Sequence, residues 1–294
     1  MPALRAYVAN CLIGGETMTQ SGSSFSRNRV TLSCGGFTFL FIQCQEVVLG
    51  QISQFEGRHA ETTQVVVENV EVGELPKVLK ILGRICWLLS FAGMSRVVPY
   101  GYDFPDGRGN ASHSGVVGFS RYFRPTLEIR DGAVVRNFVE QTYPNFARLE
   151  KRRKLPAVID YLVQSDRPNQ PSELRLITVF ALLENLKDTY AKSKSFPYIG
   201  GAYRTSPGAR SPKYTFQQLL CLMLKDVKMK KGLKRVKDLR NEVNHSGLSH
   251  LSHRSQWAMY ERIQDLLREY LLRLLGFRGM YFKYSSAGSA PAAV

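Results

Sequence analysis

The spacing of apolar residues changes along this chain, and the change limits which elements each part can form. Up to about residue 130, apolar residues alternate or gather in β-branched runs, as in strands buried on one face. "RVTLSC" and "FTFLFIQCQEVVLG" flank Cys34-Gly35-Gly36, which predicts a hairpin with glycines at its turn. "TTQVVVENVEV", "SRVVPYGYDF" and "GVVGFSRYFRPTLEIR" predict further strands. Between the last two lies "PDGRGNASHSG", a polar loop whose glycines do not follow a strand and open a helix, so it implies no nucleotide. His113 in this loop and His59 before it read as exposed bystanders. One helix interrupts the strands. Leu75, Val78, Leu79, Ile81, Leu82, Ile85, Leu88 and Leu89 recur at helical spacing, with Gly93 as a stop.

From about Ala133 the helical period dominates. "AVVRNFVEQTY" predicts a helix stopped or kinked at Pro144, and "LPAVIDYLVQS" one with Pro156 in its first turn. "PSELRLITVFALLENLKDTYAK" predicts a long third helix and "FQQLLCLMLKDVK" a fourth. Between them, "SKSFPYIGGAYRTSPGARSPKY" reads as a loop without regular structure. In it Lys194, Arg204, Arg210 and Lys213, with Lys192 just before, alternate with Tyr198, Tyr203 and Tyr214. That mixture suits single-stranded nucleic acid by charge and stacking, and equally suits a solvated loop. The fold class expected is α+β, with a β-rich domain over 1–130 carrying one or two helices, a helical domain over 131–283 and a disordered tail over 284–294.

Charge follows the same division. Residues 1–130 carry 12 Lys/Arg against 10 Asp/Glu, and residues 131–294 carry 28 against 14. The helical part is therefore the one suited to a polyanion. Cys11, Cys34, Cys44, Cys86 and Cys221 are odd in number and form no C-x-x-C pair, which argues against a disulfide framework and a zinc site. Each reads as a small buried residue in a reducing compartment. "MPALRAYVANCLIGG" makes a poor leader, and "VLKILGRICWLLSFAGM" carries Lys80 and Arg84 and is short for a bilayer. The expectation is a cytoplasmic protein with no membrane partner and no cofactor or metal.

The last basic stretch, "LKRVKDLRNEVNHSG", has Leu233, Val236, Leu239 and Val243 within a sector of about 120° on a helical wheel. Arg240, Asn244, Asn241 and His245 form a polar strip that leaves this face toward solvent. Asn241 and His245 are one turn apart and adjacent. Arg240 and His245 are separated by about 140° and meet only through the arginine's length, a loosened last turn or a second subunit. An ordinary helix end explains the same residues: Gly247 suits the position after the last turn, and a histidine there gains from the helix dipole.

"LRNEVNHSG" resembles the R-x4–6-H signature of the HEPN superfamily, in which a polar residue commonly follows the arginine. Upstream, "ITVFALLENL" is similar to that family's leucine–glutamate helix. Downstream, "WAMYERIQDLLREYLLRLLGFRGMY" ends like the Apea-like branch, in leucines followed by L-G-x-x-G. The resemblance spans roughly residues 150–283. It implies a helical HEPN bundle that forms a homodimer with two motifs facing across a cleft, and a metal-independent endoribonuclease of the kind found in antiviral, abortive-infection or toxin systems. Arg240, Asn241 and His245 match its catalytic positions. Glu184 stands where the upstream helix carries a glutamate, fitting a supporting role or a helix-internal hydrogen bond, and Asn244 is a second supporting candidate. Lys230, Lys231, Lys234, Arg235 and Lys237 would draw RNA to the same helix. His250 and His253 read as loop residues. The other readings are a non-catalytic HEPN module that binds RNA or a protein such as an antitoxin, and a DNA-binding or scaffold protein. The β-rich domain is expected to sense or regulate.

Overall fold

The computed structural model describes residues 2–21, 24–44, 61–107, 109–111, 124–167, 170–229, 234–246, 249–285 and 290–294; side chains at 19–26, 110, 111, 234, 244–246 and 290 lie outside the description. The chain is α+β and divides into two compact units. The first comprises 1–147, 275–282 and 291–294, and the second 148–274 and 283–290.

The first unit is built on a seven-stranded antiparallel sheet in the order β2-β3-β4-β5-β1-β6-β7. Its strands are β1 (Leu4–Ala9), β2 (Thr17–Ser21), β3 (Ser24–Cys34), β4 (Phe37–Gln43), β5 (Glu61–Val67), β6 (Val98–Asp103) and β7 (Gly109–Ala111). The opening stretch, weighed in the sequence only as a leader, supplies β1, paired on both sides, with Leu4, Ala6 and Val8 fully buried at alternate positions. The β3–β4 hairpin forms as expected. Cys34 pairs with Phe37, and Gly35 and Gly36 sit at φ of 61° and 89°. Helix α1 (Leu75–Gly93) has Pro76 in its first turn; Gly93 is its last residue, and Met94 takes the left-handed conformation that closes it.

Three expectations for this part change. Residues 124–130 of the last predicted strand carry no regular structure, although Leu127 and Ile129 are buried; 112–123, with His113, lie outside the described residues, as does His59. The glycine-rich loop contributes β7, paired with β6. Helix α2 (Gly132–Leu149) continues past Pro144, so of the two expectations there, a stop or a kink, the stop is not met. A proline inside a helix costs about 3 kcal/mol, and burial of Tyr143 and Phe146 beside it offsets that loss.

The packing of α2 also explains why the first unit extends past residue 130. Val135, Phe138, Val139 and Phe146 are buried, and the Phe138 ring meets Phe91 and Phe277 at 6.1 and 5.3 Å. The end of the chain is likewise not a free tail. β11 (Ala290–Ala293) pairs with β10 (Met280–Lys283).

The second unit is mainly helical, with α3 (Leu155–Ser165), α4 (Ser172–Ser193), α5 (Phe216–Asp226), α6 (Lys234–Ser246) and α7 (His253–Leu275). A buried polar cluster joins three of them. Asp166, just after α3, accepts from Tyr260 Oη at 2.8 Å and Arg268 Nη2 at 3.1 Å, and Arg175 Nη1 stands at 3.5 Å. Charges out of water need such partners, and this cluster links α3, α4 and α7. The loop over 193–214 carries one short element of regular structure. Gly200 and Gly201, at φ of 58° and 74°, turn a hairpin between β8 (Tyr198–Ile199) and β9 (Ala202–Tyr203).

Among the described residues, no helix is long and apolar enough to cross a membrane. None of the five cysteines is in a disulfide. Cys11, Cys34 and Cys86 are buried, whereas Cys44 is half-buried and Cys221 exposed on α5, contrary to the expectation that all lie inside. Burial pushes the Cys11 and Cys34 thiols up to about 12.

Candidate functional site

Helix α6 buries Val236, Leu239 and Val243, the apolar face that the wheel assigns to it. Arg240 lies at the edge of that face and is half-buried. Its Nη2 donates to Glu184 Oε1 at 2.5 Å, and its Nη1 donates to Asn241 Oδ1 at 2.9 Å. The central carbon of the guanidinium lies 4.8 Å from the centre of the Phe216 ring, a cation–π distance. Arg240 is thus held from three sides by groups on α4, α5 and its own helix.

Each holder has a local cause. Phe216 is the first residue of α5, placed by a capping box in which Thr215 accepts from the Gln218 amide and Gln218 accepts from the Thr215 amide. Glu184 lies on α4 and also pairs with Lys187 one turn along, so it makes both the helix-internal contact and an interhelical one. The Lys187 ammonium is 5.4 Å from the same Phe216 ring. Acceptance by Asn241 Oδ1 fixes the orientation of its carboxamide and leaves the amide N–H groups to donate elsewhere. Among the described residues, Arg240 Nε is buried without a partner.

The remaining predicted residues fall into two groups. Arg235 and Lys237 are exposed on α6. Lys230 and Lys231 lie outside the described residues, as do the side chains of Lys234, Asn244 and His245. The backbone at 244–246 is helical, so His245 follows Asn241 by one full turn and no loosened last turn brings it toward Arg240. The arginine's length and a second copy are the routes left. His250 is exposed, and its amide donates to Glu242, while His253 begins α7 rather than lying in a loop. Among the described residues, no three His, Cys, Asp or Glu side chains gather closely enough to hold a metal ion.

Beside Glu184 the surface opens into a pocket of about 490 Å³, lined in part by Tyr161, Asn185, Asp188, Tyr198 and Tyr203. The aromatic loop residues do not act alike here. Tyr203 is buried in a small core with Ala191 and Leu219, against which Tyr214 packs, whereas Tyr198 is 63% exposed. The Tyr203 hydroxyl donates to Asp188 Oδ1 at 2.5 Å, and Lys192 pairs with Asp188 Oδ2 at 2.8 Å. Partial burial works to raise the Asp188 carboxyl, but these two donors outweigh it and hold it below the usual carboxylate range. Burial and the Asp188 charge push the Tyr203 hydroxyl up. Of the basic loop residues, Arg204 is structural: Nη1 donates to Ser211 O at 2.6 Å and Nε to Ile199 O at 3.2 Å. Lys194 pairs with Asp226 at 2.9 Å. Arg210 and Lys213 are exposed.

Comparison of the chain with protein-family models, with curated proteins and with solved structures returns no match. The functional reading therefore rests on the residues themselves. Sequence reasoning missed Phe216, Lys187, Tyr161 and Asn185. The T-x-x-Q capping box at 215–218 was a readable signal for where α5 begins. Nothing local signalled that its first ring would lie under Arg240.

Proposed function

We propose that the protein is a metal-independent endoribonuclease of the HEPN type, of the Apea-like branch, acting at a site shared by two copies of the chain. The observation that carries this reading is the immobilised Arg240: Glu184, Asn241 and Phe216 hold one guanidinium on the helix that carries His245. Such a group is poised to meet a phosphate without reorganising at the moment of reaction.

In this reading the ribose 2′-hydroxyl attacks its own phosphate, giving a 2′,3′-cyclic phosphate and a 5′-hydroxyl end. His245 takes the hydroxyl proton or returns one to the departing oxygen, an exchange open to an imidazole near neutral pH. Arg240 stays charged and stabilises the phosphorane. Asn241, its oxygen engaged by Arg240, donates to a phosphate oxygen or to His245. One chain supplies one imidazole, so a second copy completes the base and acid pair. Arg235 and Lys237 retain RNA by charge.

Wild type and His245→Ala, incubated with single-stranded RNA in EDTA, test the reading. The expected result is cleavage by wild type to 5′-hydroxyl ends and a loss of about a hundredfold or more in the variant. Failure of both to cut, or equal cutting by both, overturns it. A second reading, a non-catalytic module that binds RNA or a protein partner, is favoured by one feature: Glu184 already neutralises part of the Arg240 charge. Tight RNA binding without cleavage would select it.

A further inference from the structure

The pocket beside the Arg240–Glu184 pair is not used by the chemistry proposed above, yet it shares a wall with it. Glu184 lines the pocket and holds Arg240. A nucleotide whose phosphate met Arg240 would therefore have this pocket within reach of its own base or a neighbouring one.

The lining has the character of a base site. Tyr198 is 63% exposed and Tyr161 43% exposed, and both line the same pocket. Tyr198 is nonetheless braced, with its ring 4.9 Å from Tyr203 in an edge contact. Rings held in place and open on one side are stacking platforms for unpaired bases.

The polar groups are asymmetric. Two donors are engaged: Lys187 with Glu184, and the Tyr203 hydroxyl with Asp188. Among the described residues, the carboxamide oxygen of Asn185 is buried without a hydrogen-bond partner, a condition that costs free energy until a donor arrives. The Glu184 and Asp188 carboxylates beside it already accept from Arg240, Lys187, Tyr203 and Lys192, which leaves the Asn185 oxygen as the acceptor still to be met. A base offering an exocyclic amino group satisfies it. Uracil offers one ring N–H flanked by two carbonyls, which the same oxygens repel.

We propose that this pocket receives an unpaired RNA base and prefers the amino-bearing bases adenine, cytosine and guanine over uracil, with Asn185 as the discriminating acceptor and Tyr198 as the stacking surface. The inference rests on the RNA-cleaving reading for its biological role, but it is a statement about binding and is tested as such.

Fluorescence anisotropy with short labelled oligoadenylate, oligocytidylate and oligouridylate, at one salt concentration, gives the test. Wild type should bind the first two more tightly than the third. Tyr198→Ala removes an exposed ring and should weaken all three by roughly tenfold or more. Asn185→Leu keeps the side chain's bulk and removes the acceptor, so it should bring the three affinities together. Thermal melts of both variants establish that they fold. Cleavage of the same oligonucleotides by wild type is scored separately from binding, which separates this proposal from the nuclease reading. A wild type that never cuts but keeps the preference upholds the pocket alone; one that cuts with no preference, or folded variants that bind like wild type, overturns it.

Discussion

Arg240 is the residue on which the proposed function turns, and its neighbours decide what it can do. A guanidinium free in solvent would lose rotamer freedom on meeting a phosphate. Here Glu184 and Phe216 have already removed most of that freedom. The ion pair is partly exposed, so its contribution to folding is about 1 kcal/mol or less. Its contribution to positioning is expected to be larger. Glu184→Gln should leave the melting temperature within a few degrees while lowering kcat roughly tenfold, with KM little changed. Steady-state kinetics on a defined RNA would check this. A gain in activity would mean instead that Glu184 only damps the charge of Arg240. The motif was legible as residues because a polar strip beginning at an apolar face stands out on a helical wheel. Its holders were not, because Glu184 and Phe216 are 56 and 24 residues away in the chain, and no periodicity connects them.

At the scale of elements, paired glycines recur with the same effect. Gly35-Gly36 and Gly200-Gly201 each adopt positive φ and turn a tight antiparallel hairpin. The first lay between long β-branched runs and was readable. The second lay in a stretch rich in Pro and Ser with strands of two residues, too short to show alternation. The two positions of the first turn should differ in tolerance. A methyl group on Gly35 would come within 2.7 Å of the Ile81 side chain, whereas one on Gly36 meets nothing. Gly35→Ala is therefore expected to cost about 2 kcal/mol or more, from left-handed backbone strain plus the clash, and Gly36→Ala about 1 kcal/mol. Chemical denaturation of both variants would decide this, and equal losses would place the cost in the backbone alone. The helix α2 shows the converse case. Its proline was visible in the sequence, and burial overrode it.

For the whole molecule, the excess of 28 Lys/Arg over 14 Asp/Glu in residues 131–294 predicts affinity for RNA that falls steeply with salt. Each phosphate neutralised on a single strand contributes about 0.7 to the slope of log affinity against log salt. Replacing exposed Arg235 and Lys237 together by Ala should flatten that slope by up to about 1.4. A titration series would measure it, and an unchanged slope would remove this helix from the RNA path. Periodicity, charge and turn chemistry are local properties written in neighbouring residues. By themselves they determined that strands precede helices, that α1 and α3 to α6 lie near where they do, and that positive charge gathers late in the chain. Tertiary structure alone decided that α2 and the final strand complete the first unit, that β1 is an interior strand and that Arg240 is clamped. These depend on which distant apolar faces and charges find one another, and burial joins them without regard to their separation along the chain.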